Sequence, residues 1–345
     1  MAEAAATPPV SAPGGQGGPP PGGRPQRHSY GAIDLGTNNC RLLIARPEHG
    51  RFVVLDAFSR IVRLGEGLGQ TGRLSPEAMD RAVAALAICA DKLRRRHVSL
   101  SRSVATEACR RADNGREFAE RVRLETGLAL DIIPPQEEAR LAVLGCHKLL
   151  EPGDGPALIF DIGGGSTELV LVEPGDGSPR IRAWWSAPWG VVSLTETEGR
   201  AALEGPERVA AYKRMRQRVL RSFSRFLAML PEKTPDIRLL GTSGTVTTLA
   251  SVHLALPSYD RRAVDGLHVP IEAMRAINLM IAEMDLPARS ALPCIGPERA
   301  DMVVAGCAIL DAILDIWPAE MLGIADRGIR EGILRALMAR DGYVL

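Results

Sequence analysis

A chain of 345 residues, 46% hydrophobic and 24% charged, can bury the cores of two domains. Its 42 basic residues face 41 acidic ones, so it lacks the basic surplus of a protein that tracks a nucleic-acid backbone. No nucleic-acid partner is therefore expected, and an anionic ligand would have to be met by a local cluster.

The six cysteines (40, 89, 109, 146, 294 and 307) form neither a CxxC pair nor a zinc-ligand spacing, and several lie in apolar runs. No apolar stretch approaches the roughly 18 residues of a membrane span, and the N-terminus has no secretory h-region. A cytoplasmic protein with reduced thiols and no membrane partner is the expectation.

Residues 1–27 are dominated by Pro, Gly and Ala and are expected to be a disordered tail. Tyr30 to Asp34 reads as a buried strand ending in a carboxylate, followed by the turn Gly36-Thr37-Asn38-Asn39 and by strands Arg41–Arg46 and Phe52–Phe58. Pro76 opens a helix with apolar residues Met79, Val83, Leu86 and Leu93 at helical spacing. Short strands are expected at Ser103–Ala105 and Ala129–Ile133, then a stop at Pro134-Pro135 and a helix from Gln136 to about Leu150.

The opening pattern then returns. Ala157–Phe160 is a strand, Asp161 ends it, and Gly163-Gly164-Gly165-Ser166 makes the turn. Leu169–Glu173, the turn Gly175-Asp176-Gly177 and Ile181–Ser186 complete the unit. The lead aspartates stand at 34 and 161, a separation that implies two domains of one fold rather than a solenoid. A long helix is expected over Glu207–Met229. A strand at Arg238–Leu240 then runs into Gly241-Thr242-Ser243-Gly244-Thr245, with a helix behind it to about Leu254. Met274–Met284, Arg299–Ile316 and Gly328–Met338 supply three more helices, and the alternation of types marks an α/β architecture.

Each Asp-x-Gly turn offers backbone N–H groups that can approach a phosphate, and a carboxylate suited to Mg²⁺. One such turn would most often be structural. Two at the heads of equivalent units would face each other across a cleft, and the Gly241 loop adds a helix N-terminus as a third anion site. From position alone, Glu137 and Glu138 could simply be early-helix acids favoured by the dipole. Asp34 could be only a turn-capping acid.

These loops resemble those of the actin-like ATPase superfamily. The order of Ala32-Ile33-Asp34-Leu35-Gly36-Thr37-Asn38, Ala105-Thr106-Glu107-Ala108-Cys109-Arg110, Glu137-Glu138-Ala139-Arg140, Asp161 through Glu168, and Gly241 through Thr245 is similar to the exopolyphosphatase/guanosine pentaphosphate phosphohydrolase family. The resemblance runs from about Tyr30 to the C-terminus and implies two actin-like (ribonuclease H-like) α/β domains around a central cleft. Domain I would span 28–136, with the C-terminal helix (about 327–345) packing back on it, and domain II would span 137–326.

The resemblance implies hydrolysis of terminal phosphoanhydrides of polyphosphate or guanosine pentaphosphate. Glu138 would activate the attacking water, while Arg41 and Arg110 would line the phosphate pocket. Asp34, Asp161 and Glu168 would hold Mg²⁺ or another divalent cation. Phosphate would be bound by Gly36, Thr37, Asn38, Gly163, Gly164, Gly165, Ser166, Thr167, Gly241, Thr242, Ser243 and Gly244. Arg299 is a weaker candidate for the same channel, and Arg111 reads as solvated.

Cys40 reads as packing and His147 as a helix-end residue. The chain carries no His-Asp dipeptide of the kind found in the extension of longer members, so it resembles the short two-domain form. A homodimer is the family habit. A small-molecule kinase of the superfamily and a non-catalytic sensor of guanosine tetra- or pentaphosphate or polyphosphate remain the rival readings.

Overall fold

The computed structural model describes residues 28–150, 155–175, 179–199, 203–230 and 237–343. The tail at 1–27 and the Asp176-Gly177 half of one expected turn lie outside them. Two sheets organise the chain. The first is built from β1 (Tyr30–Leu35), β2 (Asn39–Glu48), β3 (Arg51–Ile61), β4 (Leu100–Ala105) and β5 (Leu130–Ile132), in the spatial order β3-β2-β1-β4-β5. The second holds β6 (Ala157–Ile162), β7 (Thr167–Glu173), β8 (Arg180–Ala187), β9 (Arg238–Thr242), β10 (His268–Pro270) and β11 (Met321–Ala325), ordered β10-β11-β9-β6-β7-β8.

Each sheet begins with the same device. Three strands run antiparallel, and the first of them then pairs in parallel with a strand from further along the chain: β1 with β4, and β6 with β9. The lead strands are apolar on both faces, as a strand covered on two sides requires. The hairpin registers coincide too. Asp34 stands opposite Arg41 on β2, and Asp161 stands opposite Glu168 on β7.

Helices cover these sheets. Pro76–Arg95 starts where Ser75 accepts a hydrogen bond from the Ala78 N–H at 3.2 Å, with Pro at its first position. Its buried Leu86 and Cys89 pack with Ile33, Leu42 and Phe118. Full burial of such a Leu or Phe side chain contributes about 1.5–3 kcal/mol. The sulfur of Cys40 lies 4.0 Å from that of Cys89 in the same core, where both thiols act as small apolar groups.

Helix ends differ from the sequence reading where tertiary packing decides. The helix expected to reach Leu150 is α-helical over Pro135–Cys146 and tightens to a 3₁₀ turn at His147–Leu149. The expected Glu207–Met229 helix divides into Arg208–Ser222 and Ser224–Leu227, because Phe223 is drawn wholly into the core and its N–H bonds back to Leu220 O. The helix expected from Arg299 starts at Val303, which leaves Arg299 in the preceding turn.

The last helix, Ile329–Arg340, returns to the first sheet. Ile333, Leu334 and Met338 share a core with Tyr30, Ala32, Leu43 and Ala45, and the Tyr30 hydroxyl donates to Asp341 at 2.5 Å. It also crosses Pro135–Cys146 at backbone contact. A Cβ on Gly145 would fall 1.9 Å from Gly328 O, and one on Gly332 would fall 2.0 Å from Leu141 O. Glycine is required at both positions. No helix among the described residues is long and apolar enough to cross a membrane.

Candidate active site

The ends of β1 and β6, their turns, and the β9 loop meet around a cavity of about 140 Å³ between the two sheets. Asp34, Gly36, Thr37, Asn38 and Arg41 line it from the first sheet, and Asp161, Gly163 to Ser166 and Glu168 from the second. Ser243, Gly244 and Thr245 open the helix Gly244–His253, and Glu107 and Glu138 complete the wall. A larger open depression of about 1220 Å³ flanks β8, but among the described residues Glu173 is the only carboxylate lining it and neither Asp-x-Gly turn borders it.

Backbone hydrogen bonds fix the two turns. The Gly36 N–H donates to Asn39 O, and the Gly163 N–H to Ser166 O. The turns also touch each other. A Cβ on Gly164 would lie 3.0 Å from the Thr37 Cβ and 3.1 Å from the Asn38 nitrogen, and one on Gly165 would lie 2.7 Å from the Thr37 hydroxyl. The absence of side chains on the second turn lets the first one close over it.

Glu138 enters from the first turn of Pro135–Cys146 and is only 6% exposed. Arg110 Nη1 donates to Glu138 Oε2 at 2.8 Å and to Ile133 O at 2.8 Å, while its Nη2 donates to Glu107 Oε2 at 2.7 Å. Glu137 faces elsewhere, paired with Arg102 at 2.9 Å and Arg140 at 2.7 Å. The Glu168 Oε1 accepts from the Ser166 hydroxyl at 2.7 Å and the Ser186 hydroxyl at 2.9 Å.

Four carboxyls thus share this space, and burial raises all four. Burial, then the charges of Glu138 and Asp34, push Asp161 up to about 7, while Arg41 pulls it down. Burial and Asp161 raise Glu168 against its two serine donors. Burial and Glu168 hold Glu138 well above the usual carboxylate range, although Arg110 opposes them. Burial also raises Asp34, with Arg41 and Arg330 acting the other way. Among the described residues, no three of His, Cys, Asp and Glu converge closely enough to hold a metal ion alone. Asp34, Asp161 and Glu168 therefore share the cleft without forming a closed cage.

The matching family model, Ppx/GppA phosphatase family, covers residues 43–341. The chain belongs to the Ppx/GppA phosphatase family. Within it, the chain is 31% identical over 319 residues to exopolyphosphatase 2 of Mycobacterium tuberculosis, covering 89% of this chain and 97% of that one. The crystal structure of the Aquifex aeolicus Ppx/GppA family member superposes with a TM-score of 0.74 at 30% identity, over 91% of this chain and 98% of that one. An exopolyphosphatase structure from Cytophaga hutchinsonii shares the fold, with a TM-score of 0.81 at 23% identity over 91% and 98% of the two chains. The two-domain actin-like α/β architecture expected from the loops is the family's.

Most residues expected at a Ppx/GppA site do meet, but several turn away. Gly241 lies inside β9, where a Cβ would strike the Phe160 ring at 2.6 Å, and the Thr167 hydroxyl is spent on Trp189 O at 2.7 Å. The Thr242 hydroxyl donates to Arg327 O at 2.6 Å, beside a smaller adjoining chamber. Arg110 stands behind Glu138, donates to Glu107, Ile133 O and Glu138, and is not among the residues lining the cavity. Arg41 reaches the cleft with no hydrogen-bonded or ion-paired protein partner among the described residues. Arg299 lines the outer part and donates to the Thr248 hydroxyl at 3.0 Å.

Glu107 and Arg330 escaped the sequence reading. Glu107 stands inside a segment quoted for the resemblance, and only its ion pair with Arg110 marks it. For Arg330, a lone Arg on an amphipathic helix, no sequence signal exists.

Proposed function

We propose that this chain hydrolyses the terminal phosphoanhydride bond of inorganic polyphosphate, of guanosine pentaphosphate, or of both, and releases inorganic phosphate. The observation that carries the reading is Glu138, a buried carboxylate held by Arg110 through Oε2 in the wall of a cleft built from phosphate-type loops. Its Oε1 has no protein donor among the described residues and is available to accept a hydrogen bond from water. The likeness to an exopolyphosphatase over nearly its whole length supports the same chemistry.

Phosphoryl transfer to water depends mainly on positioning and charge neutralisation. The loop N–H groups at Gly36 to Asn38 and Gly163 to Ser166 would seat the phosphate oxygens. The unpaired Arg41 guanidinium would neutralise those nearest the bond to be broken. Glu138 would orient the attacking water and take up its proton, the leaving oxygen departing with the shortened chain. The elevation of all four carboxyls fits a divalent cation, which relieves their repulsion and suits oxygen donors. Asp34, Asp161 and Glu168 would hold Mg²⁺ in part through water and substrate oxygens, and the bound ion would supply charge neutralisation at the phosphates.

Phosphate release from both substrates with and without Mg²⁺, in the wild type and in Glu138→Gln, tests this. Turnover should fall roughly 10³-fold in the variant, in the range of lost general-base catalysis, with substrate affinity retained. Near-normal turnover by Glu138→Gln would overturn the mechanism, and transfer of phosphate to an organic acceptor would overturn the reaction class.

A further inference from the structure

Below the cleft lies a smaller chamber of about 30 Å³, walled by Asp34, Arg41, Asp161, Thr242, Ser243 and the turn Ala325–Arg330 between β11 and the last helix. It shares Asp34, Arg41, Asp161 and Ser243 with the cleft, so one continuous set of side chains separates and joins the two spaces. Part of its polar wall is committed. Asp326 pairs with Arg261 at 3.1 Å, Arg327 with Asp265 at 2.8 Å, and the Gly328 N–H donates to Glu331 at 2.9 Å. The Thr242 hydroxyl holds the turn at Arg327 O.

Five groups in its wall have no hydrogen bond or ion pair with the protein among the described residues: the Arg41 and Arg330 guanidinium groups, the buried Ser243 hydroxyl, and the carboxyls of Asp34 and Asp161. Arg41 and Arg330 attract Asp34 without hydrogen-bonding it, and with a cation on the two carboxyls the guanidinium groups and the orphaned hydroxyl would form a donor set open to an anion. The buried Ser243 donor, left unmet, costs free energy that an anion would return, and the two half-buried guanidinium groups offer that anion charge-assisted bonds.

We propose that Arg330 is a phosphate-binding residue, gripping the terminal phosphate of the substrate from the β11 side while Arg41 and the loops hold it from the cleft. A space of about 30 Å³ admits about two oxygen-sized groups and no second phosphate. The chamber therefore accepts two oxygens of one phosphate and ends there, which fixes how far the chain can advance past the water held by Glu138. After cleavage the same grip falls on the released orthophosphate, so Arg330 sets the affinity for product. This rests on the phosphohydrolase reading for the identity of the anion, but the donor set stands apart from it.

The test is orthophosphate binding to the full chain in the presence of Mg²⁺, followed by titration calorimetry, with phosphate release from polyphosphate and guanosine pentaphosphate measured alongside. Arg330→Ala should weaken orthophosphate roughly tenfold or more, as loss of a charge-assisted bond does, and Arg330→Lys should restore part of it. Arg340→Ala, at the exposed end of the same helix, should leave binding unchanged. Arg330→Gln, which keeps the stem of the side chain without its charge, replaces the alanine variant if the latter melts early. Orthophosphate affinity within twofold of wild type in a folded Arg330 variant would overturn the proposal. If the wild type hydrolyses neither substrate while Arg330→Ala still weakens orthophosphate, the proposed function fails and the anion chamber stands. If hydrolysis is present and affinity does not move, the chamber alone fails.

Discussion

The two halves of the site start from one plan and diverge at two positions. In each, a lead aspartate ends a buried strand and faces the residue seven places on, across a tight turn. In the first half that residue is Arg41, and in the second it is Glu168. The first pairing places a cation beside Asp34. The second places two acids side by side and needs two serine hydroxyls to hold one of them. The turns differ as well. Thr37 and Asn38 bring side chains to the contact, and Gly164 and Gly165 make room for them. Duplication alone would have produced a symmetric clamp. In the proposed reaction these two differences would give it a side that attracts phosphate and a side suited to a cation.

The largest effect should come from erasing the first difference. Arg41→Glu, which copies the second half into the first, should lower kcat/KM on polyphosphate by roughly 10³-fold or more, because it removes a charge-assisted contact and adds a further acid to the cleft. Arg41→Lys, a point charge without the fork, should lose less, and steady-state kinetics on both variants gives the order. Equal activity in Arg41→Glu and wild type would show that the cation has no part in catalysis.

The turns offer a matched pair. Gly164→Ala places a methyl 3.0 Å from the Thr37 Cβ, whereas Gly36→Ala meets nothing nearer than Asn39 O at 3.6 Å. Activity should fall roughly tenfold in the first and less than twofold in the second, since tight overpacking costs about 1–3 kcal/mol and ordinary contact almost nothing. Matching losses would mean that the turns do not close on each other in solution.

The acid-rich half should also carry a pH signature. Asp161 titrates near 7 when folded and near 3.8 when unfolded, so the folded protein binds the extra proton in between. Its contribution to stability is full below the unfolded value and is lost as pH rises through about 7. Melting of the metal-free protein should therefore fall from pH 4 towards 7, and added Mg²⁺ should flatten that slope and stabilise more at pH 8 than at pH 5. A slope of opposite sign would place Asp161 among ordinary exposed carboxylates.

The smallest effect concerns Ser243, whose φ of 124° and ψ of 170° belong to a region essentially reserved for glycine. Ser243→Gly should raise stability by about 1 kcal/mol in denaturant unfolding, and the lost hydroxyl should weaken phosphate binding a few-fold.

The sequence shows what short-range order encodes. Asp34, Arg41, Asp161 and Glu168 are legible because a hairpin with a fixed turn length puts residues seven apart opposite each other. The cleft between two sheets follows from the repeat. What the sequence hides is set by distant partners. Arg110 looks like a phosphate ligand until Glu107, Ile133 and Glu138 are seen to absorb its donors. Gly241 and Thr167 sit inside loop motifs, but the strand pairing of β9 and the Trp189 carbonyl turn them away from the cavity. Arg330 reaches Asp34 only because β11 delivers the last helix back to the first sheet.

That return has a consequence for how the molecule is made. The core against Tyr30, Ala32, Leu43 and Ala45 is completed by Ile333, Leu334 and Met338, nearly 300 residues later. A ribosome releases the first sheet long before it releases the helix that covers one of its faces, and helix Pro135–Cys146 lacks its glycine-to-glycine contact for the same interval. The nascent chain therefore carries an uncovered apolar surface until Ile329–Arg340 has been made, which exposes it to aggregation and to holding chaperones. Glu138 rides on Pro135–Cys146, so it acquires its final seat only when Ile329–Arg340 has docked.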